Sequence, residues 1–296
     1  MGRTHTPDNV IMFSNAVRHR RQALYAKAPG HCARIMAFTS GKGGVGKTSI
    51  VANLGLALRR MGKKVLIMDA DLGLGNLDLL LGLAPKYNLS HVIRGMKSVS
   101  EIMLEGPESI QVLPAASGIQ ELAQLTREQR FRIISEIDRV LDTVDILLID
   151  TAAGISSNVT AFNVASQEIF VIVNPEPSSI TDAYALMKIL CVKYGEKNFR
   201  IIVNNTRSMN EGKEVFRQLQ LVVDRFLHIP LEYMGFILRD DGVVQSSRSQ
   251  KLLLEVYPDS RASRCVTALA QKILLSWVDP CPKRTGESFW KHFCMT

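Results

Sequence analysis

Residues 41–48, Gly-Lys-Gly-Gly-Val-Gly-Lys-Thr, decide the fold of this chain. The fixed positions of a phosphate-binding loop are all filled, by Gly41, Gly46, Lys47 and Thr48. The apolar residues 35–38 before the loop predict a strand, and residues 49–60 after it predict a helix. This is the context that the motif requires, so the stretch predicts a site for a nucleoside triphosphate.

The residue types of the loop fit that chemistry. Glycines allow backbone N–H groups to point inward at phosphate oxygens, and the following helix presents its positive N-terminal end to the same anion. We expect the ammonium group of Lys47 to neutralise the β and γ phosphates and the hydroxyl of Thr48 to bind Mg²⁺. Nucleotide contacts are predicted for the whole run: Gly41, Lys42, Gly43, Gly44, Val45, Gly46, Lys47, Thr48 and Ser49.

Apolar strand candidates alternate with helical segments along the rest of the chain. The strands are predicted at residues 64–68, 110–113, 145–149, 169–173, 200–203 and 233–238. The helices are predicted at residues 127–141, with Phe131, Ile134, Ile137 and Leu141 on one face, and at residues 178–194 and 212–227. Fully apolar strands in such an order predict an α/β fold of the P-loop NTPase type, with a mostly parallel, doubly wound sheet and helices on both faces.

Acidic residues follow two of the predicted strands, where open sheets of this type bind their ligands. Asp150 comes at the end of the strand 145–149 and is expected to hold Mg²⁺ through its water shell, while Gly154 would let a backbone N–H approach the γ-phosphate. Asp71 lies on a glycine-containing loop and is expected to orient the attacking water. Asp69 is the alternative candidate for the Mg²⁺ shell. Helix capping is the competing interpretation for each of these aspartates.

Lys42, directly after the first glycine, is a second lysine that an ordinary phosphate-binding loop does not need. The pattern Lys-Gly-Gly-Val-Gly-Lys-Thr resembles the deviant Walker A motif of the MinD/ParA class of ATPases. In that class the early lysine reaches across a dimer interface to the nucleotide of the other subunit. A solvated loop lysine is the alternative interpretation.

Longer runs are similar to one family within that class, the FlhG/FleN family of flagellar number regulators. They are residues 69–83, 113–118, 150–155 and 176–188, and the similarity extends over about residues 34–278. The resemblance implies a Mg²⁺-dependent ATPase that dimerises around two ATP molecules, lies in the cytoplasm and binds the inner membrane peripherally when it carries ATP. It also implies two partners, a FlhF-type GTPase and a FleQ-type transcription activator.

The resemblance implies a role for individual residues as well. Lys42 would act on the nucleotide of the other subunit, Asn205 would contact the adenine, and Glu176 would pair with the partner subunit's Lys42. The implied catalytic residues are Lys42, Lys47, Asp71 and Asp150. The implied metal site is formed by Thr48, Asp71 and Asp150.

The two ends of the chain differ from the predicted ATPase domain at residues 34–278. Residues 1–33 form a basic arm without the apolar region of a secretion signal, and no apolar run approaches the roughly 18 residues of a membrane span. Residues 279–296 form a tail in which Phe289, Trp290 and Phe293 fall at helical spacing beside basic residues. This pattern predicts an amphipathic helix that binds an anionic membrane surface, or that docks on the protein itself.

Charge and cysteine usage leave rival functions to weigh. The net charge of +8 is compatible with a ParA-like partition ATPase that binds DNA without sequence preference, although we expect no direct specific nucleic-acid binding. A metal-cluster carrier of the same class would need paired cysteines, and the five cysteines are scattered without a Cys-x-x-Cys pair. A nucleotide-gated switch with negligible turnover would carry the same motifs.

Overall fold

A computed structural model describes residues 33–115 and 125–276. Its centre is an eight-stranded sheet in the order β3-β4-β2-β5-β1-β6-β7-β8. The strands are β1 (Arg34–Ser40), β2 (Val65–Ala70), β3 (Leu104–Glu105), β4 (Gln111–Leu113), β5 (Ile146–Ala153), β6 (Glu168–Val173), β7 (Phe199–Thr206) and β8 (Leu231–Leu238). All neighbouring strands are parallel except β3 and β4, so the predicted mostly parallel sheet is confirmed.

Helices connect the strands. In chain order they are α1 (Lys47–Arg60), α2 (Leu77–Leu80), α3 (Leu89–Ile93), α4 (Val99–Ile102), α5 (Arg127–Leu141), α6 (Ser157–Ala165), α7 (Pro177–Tyr194), α8 (Met209–Phe226), α9 (Asp241–Arg248), α10 (Leu253–Val256) and α11 (Arg261–Leu275). The predicted helices at residues 127–141, 178–194 and 212–227 correspond to α5, α7 and α8. No helix within the described ranges combines the length and the apolar composition that crossing a bilayer demands.

Apart from the edge strands β3 and β8, the strands are mainly apolar and are buried along most of their length on both faces of the sheet. Along β1, Met36 and Phe38 pack into the cluster formed with α1 and α11, whereas Ile35 packs into the cluster formed with α3 and α5. Phe38 stacks on Phe170 of β6 with 4.8 Å between ring centroids. Alternate side chains of one strand therefore anchor helices on opposite faces, which is the doubly wound arrangement that the sequence predicts.

Two local predictions are wrong. Asp150 does not end its strand, because β5 continues to Ala153 through pairing with Ser40 of β1. Phe131 is not a core residue of α5, since 43% of it is exposed. The buried face of α5 is instead formed by Ile133, Ile137 and Val140.

The predicted membrane-binding tail and all of the basic arm except Ala33 lie outside the described residues. The same holds for the last three residues of the run 113–118, which is part of the family resemblance. The division into arm, ATPase domain and tail therefore stays a prediction.

Candidate nucleotide-binding site

The phosphate-binding loop connects β1 to α1 at the carboxyl edge of the sheet, and two of its glycines are required by geometry. Gly46 precedes the first residue of α1 with a φ of 86°, a left-handed conformation that favours glycine. At Gly41 a methyl group would overlap the backbone carbonyl of Asp182 in α7, so the loop can pack against that helix only without a side chain. The sequence therefore fixes both the shape of the loop and its distance from α7.

Lys47 and Asp150 form a buried ion pair beneath the loop. The Nζ atom of Lys47 lies 2.7 Å from Oδ1 of Asp150, and their side chains are only 9% and 2% exposed. Each charge is thus neutralised by the other in a region that excludes water. Two residues predicted to serve phosphate and metal are brought together by the fold.

Asp69 lies beside this pair, because it is the register partner of Asp150 across β2 and β5. Burial, and next the negative charge of Asp150, raise the pKa of the Asp69 carboxyl from 3.8 to about 7. Its two oxygens accept hydrogen bonds from the backbone N–H groups of Asp71 and Leu77, both at 3.1 Å. Asp69 therefore anchors both ends of the loop between β2 and α2.

Asp71 is half-buried on that loop, and its Oδ1 atom accepts the N–H of Leu74 at 3.1 Å. The loop also approaches Asp69 closely at Gly75, where a Cβ atom would lie 2.6 Å from Oδ2 of Asp69. The carboxylate of Asp71 is consequently held in a fixed turn.

Gly154 follows the last residue of β5 and has a φ of 90°. Its N–H donates to the carbonyl oxygen of Ser40 at 2.9 Å. The amide predicted to approach a γ-phosphate is therefore used within the protein in this conformation.

Lys42 of the phosphate-binding loop contacts two residues at the start of α7. Its Nζ atom lies 2.6 Å from Oε2 of Glu176 and 3.0 Å from Oγ of Ser178, both on the same chain. The exposed fractions of Lys42 and Glu176 are 38% and 52%. In this conformation Glu176 thus holds the lysine of its own chain, and its pairing with the partner subunit's Lys42 stays a prediction.

Asn205 is exposed at the end of β7 and has a φ of 59°, which is uncommon for a residue with a side chain but tolerated by asparagine. The residue before it, Asn204, donates from Nδ2 to the carbonyl oxygen of Val45 at 2.7 Å. The sequence offered no sign of this contact, since Val45 and Asn204 are 159 residues apart.

The other residues predicted to contact the nucleotide lie in the same loop and in the first turn of α1. Gly43 and Gly44 are exposed, whereas Thr48 and Ser49 are half-buried in the first turn of α1. Lys47 is the first residue of α1, so a cationic side chain begins the helix whose positive end favours an anion.

The donor set fits Mg²⁺ held together with a nucleotide. Asp69, Asp71 and Asp150 are near enough for the charges of the other two to raise the pKa of Asp69, and a divalent cation would relieve that repulsion. In residues 33–115 and 125–276 no three His, Cys, Asp or Glu side chains form a metal site by themselves. Mg²⁺ usually takes one or two protein ligands beside phosphates and water.

The fold and the loop define a P-loop protein of the MinD/ParA type. A family model described as an AAA domain matches residues 33–201. Among solved structures, the cell division ATPase MinD of Pyrococcus furiosus is similar, with a TM-score of 0.68 and 25% identity over 82% of this chain and 99% of that chain.

Similarity to two known proteins identifies the family within the MinD/ParA class. The antiactivator FleN of Pseudomonas aeruginosa is 43% identical over 88% of this chain and 92% of its own length. The flagellum site-determining protein YlxH of Helicobacter pylori is 32% identical over 88% of this chain and 89% of its own length. The chain belongs to the FleN/YlxH family of MinD-like proteins.

Proposed function

We propose that this protein is a Mg²⁺-dependent ATPase whose ATP-bound form dimerises and restrains the number of flagella. The observation that carries the proposal is the different surroundings of two lysines in one loop. Lys47 is buried against Asp150, whereas Lys42 is half-exposed in a pair with Glu176. A single nucleotide site can use Lys47 from within, and Lys42 could exchange its exposed partner for the nucleotide of a second copy.

The residues of the site divide the work of hydrolysis, which needs mainly positioning and neutralisation of charge. The loop amides and Lys47 would bind the phosphates, and Thr48 and Asp150 would hold Mg²⁺. When bound, Mg²⁺ supplies positive charge that offsets the charge of the triphosphate. Asp71 would orient the attacking water and would also contribute to the metal site.

Exchange of the Gly154 N–H between Ser40 and a phosphate oxygen would couple the nucleotide state to the protein surface that a partner contacts. The N–H of Gly154 can serve either the carbonyl of Ser40 or a phosphate oxygen, because one N–H makes one strong hydrogen bond. The presence of the γ-phosphate would thus be linked to the conformation of residues 154–156, which lead into α6. Such a loop is suited to report the nucleotide state.

Membership of a family that includes an antiactivator and a flagellum site-determining protein supports the flagellar role. Within it we propose two partners, a FlhF-type GTPase and a FleQ-type transcription activator. We place the protein in the cytoplasm, with its ATP-bound dimer at the inner membrane. The adenine would be contacted by Asn205, and the anionic membrane surface by residues 279–296.

The decisive experiment measures the mass of the full chain in solution by light scattering, with Mg²⁺-ATP and with Mg²⁺-ADP. We expect a dimer only with ATP. The variant Lys42→Ala should bind ATP and remain a monomer, whereas the matched variant Lys251→Ala, which removes an exposed lysine from another region, should dimerise. A stable ATP-dependent dimer of Lys42→Ala would remove the proposed role of Lys42.

A second measurement tests membrane binding and distinguishes the proposed function from that of a partition ATPase. Flotation with vesicles that contain anionic lipid should recover the ATP-bound protein and not a chain ending at residue 278. Binding to random-sequence DNA, with an affinity that falls steeply as salt rises, would favour a partition ATPase instead.

A further inference from the structure

The end of β7 contains an irregularity beside the phosphate-binding loop. Val203 pairs with Phe236 of β8, and Thr206 pairs with Leu238, so three steps along β7 match two steps along β8. The extra residue is accommodated where Asn205 adopts its positive φ of 59°. Bulges of this kind change the direction of neighbouring side chains and are common beside functional sites.

The bulge leaves the side chain of Asn204 directed at the phosphate-binding loop. Its amide Nδ2 donates to the carbonyl oxygen of Val45 at 2.7 Å. The loop accepts this close approach because the next residue is Gly46, where a Cβ atom would lie 2.5 Å from that same nitrogen. The contact therefore depends on a matched pair of residues, an asparagine on β7 and a glycine on the loop.

Holding the carbonyl of Val45 also sets the direction of a loop amide. In a planar trans peptide the C=O and the following N–H point in opposite directions. Because the C=O of Val45 points at Asn204, the N–H of Gly46 must point away from β7. A loop that binds phosphate through backbone N–H groups depends on such orientations being fixed before the anion arrives.

We propose that Asn204 is a positioning residue that holds the phosphate-binding loop in the shape that accepts a triphosphate. Asn205, its neighbour across the bulge, serves the base. Two consecutive side chains thus act on opposite ends of one nucleotide. The inference rests on nucleotide binding alone and does not depend on dimerisation or on the flagellar role.

The test measures the affinity of the full-length protein for two probes, ATP and inorganic tripolyphosphate, both with Mg²⁺ and at protein concentrations where light scattering shows a monomer. Tripolyphosphate has no base, so it reports the phosphate-binding loop alone. We expect Asn204→Ala to weaken both probes equally, by about fivefold, as the loss of one hydrogen bond predicts. Asn205→Gly, which keeps the left-handed backbone, should weaken ATP and leave tripolyphosphate unchanged.

A third variant separates positioning from simple filling of space. Asn204→Leu has the same branching at Cγ and no donor, so it should lose as much affinity for tripolyphosphate as Asn204→Ala. Normal affinity of Asn204→Leu for tripolyphosphate would overturn the proposal. So would a loss by Asn204→Ala that is confined to ATP. Thermal unfolding without ligand checks that the three variants fold. Since every measurement is made on the monomer, a failure of the proposed dimerisation would not alter these results.

Discussion

Lys42 and Glu176 form an ion pair within one chain, with 2.6 Å between Nζ and Oε2. The pair joins the phosphate-binding loop to the residue that precedes α7, and Ser178 adds a hydrogen bond at 3.0 Å. A lysine that is to reach a second subunit must first leave these partners. Both side chains of the pair are well exposed, so the contact is weak enough to be exchanged.

Loss of this pair should favour dimerisation. In Glu176→Gln the lysine is held less strongly by its own chain, so we expect half-maximal dimer formation at an ATP concentration about two- to fivefold lower. Scattering mass against ATP concentration measures the effect. The control Glu214→Gln removes an exposed carboxylate that pairs with Arg217 in α8 and should change nothing. If Glu176→Gln needs more ATP than the parent protein, Glu176 acts within the dimer instead.

The buried pair of Lys47 and Asp150 should behave in the opposite way, as a determinant of stability. Removing one charge leaves the other buried without a partner, so Lys47→Met should lower the free energy of unfolding by about 3 kcal/mol or more. The double variant Lys47→Met/Asp150→Asn should be more stable than Lys47→Met. Urea unfolding without nucleotide gives these values.

Lys42, the exposed lysine of the same loop, provides the comparison for Lys47→Met. Lys42→Met breaks an ion pair that water screens, and should cost less than about 1 kcal/mol. Equal stability of Lys47→Met and of the double variant would contradict the expected cost of leaving the Asp150 carboxylate buried without a partner.

Much of this arrangement could be predicted from the sequence, because strand–loop–helix order and apolar strands are local properties. The face of α5 could not, since two overlapping stripes fit a helical period and the packing against α3 and α4 decides which is buried. The strand β3 has two residues, too few for any periodicity. In the site, the contacts of Asn204 with Val45 and of Glu176 with Lys42 could not be predicted, because each joins residues more than 130 positions apart in the chain.

The raised pKa of Asp69 predicts a pH dependence of stability. An acid whose pKa rises from 3.8 to about 7 on folding stabilises the native state fully below pH 4, and that contribution is lost as the pH rises toward 7. We therefore expect the free energy of unfolding of the metal-free protein to contain a component that falls over this range. Asp69→Ala should remove the component, so the slopes of the two proteins against pH are compared. Parallel slopes would contradict the assignment.

Asp71 offers the sharpest test of the proposed hydrolysis, because its two contributions can be separated. Its Oδ1 atom accepts the N–H of Leu74, which shapes the loop, and its negative charge is the feature proposed to orient water. Asp71→Asn keeps an oxygen for Leu74 and removes the charge, while Asp71→Ala removes both. If the charge is what matters, both variants should hydrolyse ATP at least about tenfold more slowly and keep the ATP-dependent dimer longer.

Phosphate release and the decay of scattering mass report these two effects, and Asp78→Ala, in α2, is the matched control. Full turnover by Asp71→Asn with slow turnover by Asp71→Ala would assign Asp71 to loop geometry alone, and full turnover by both would remove it from the mechanism.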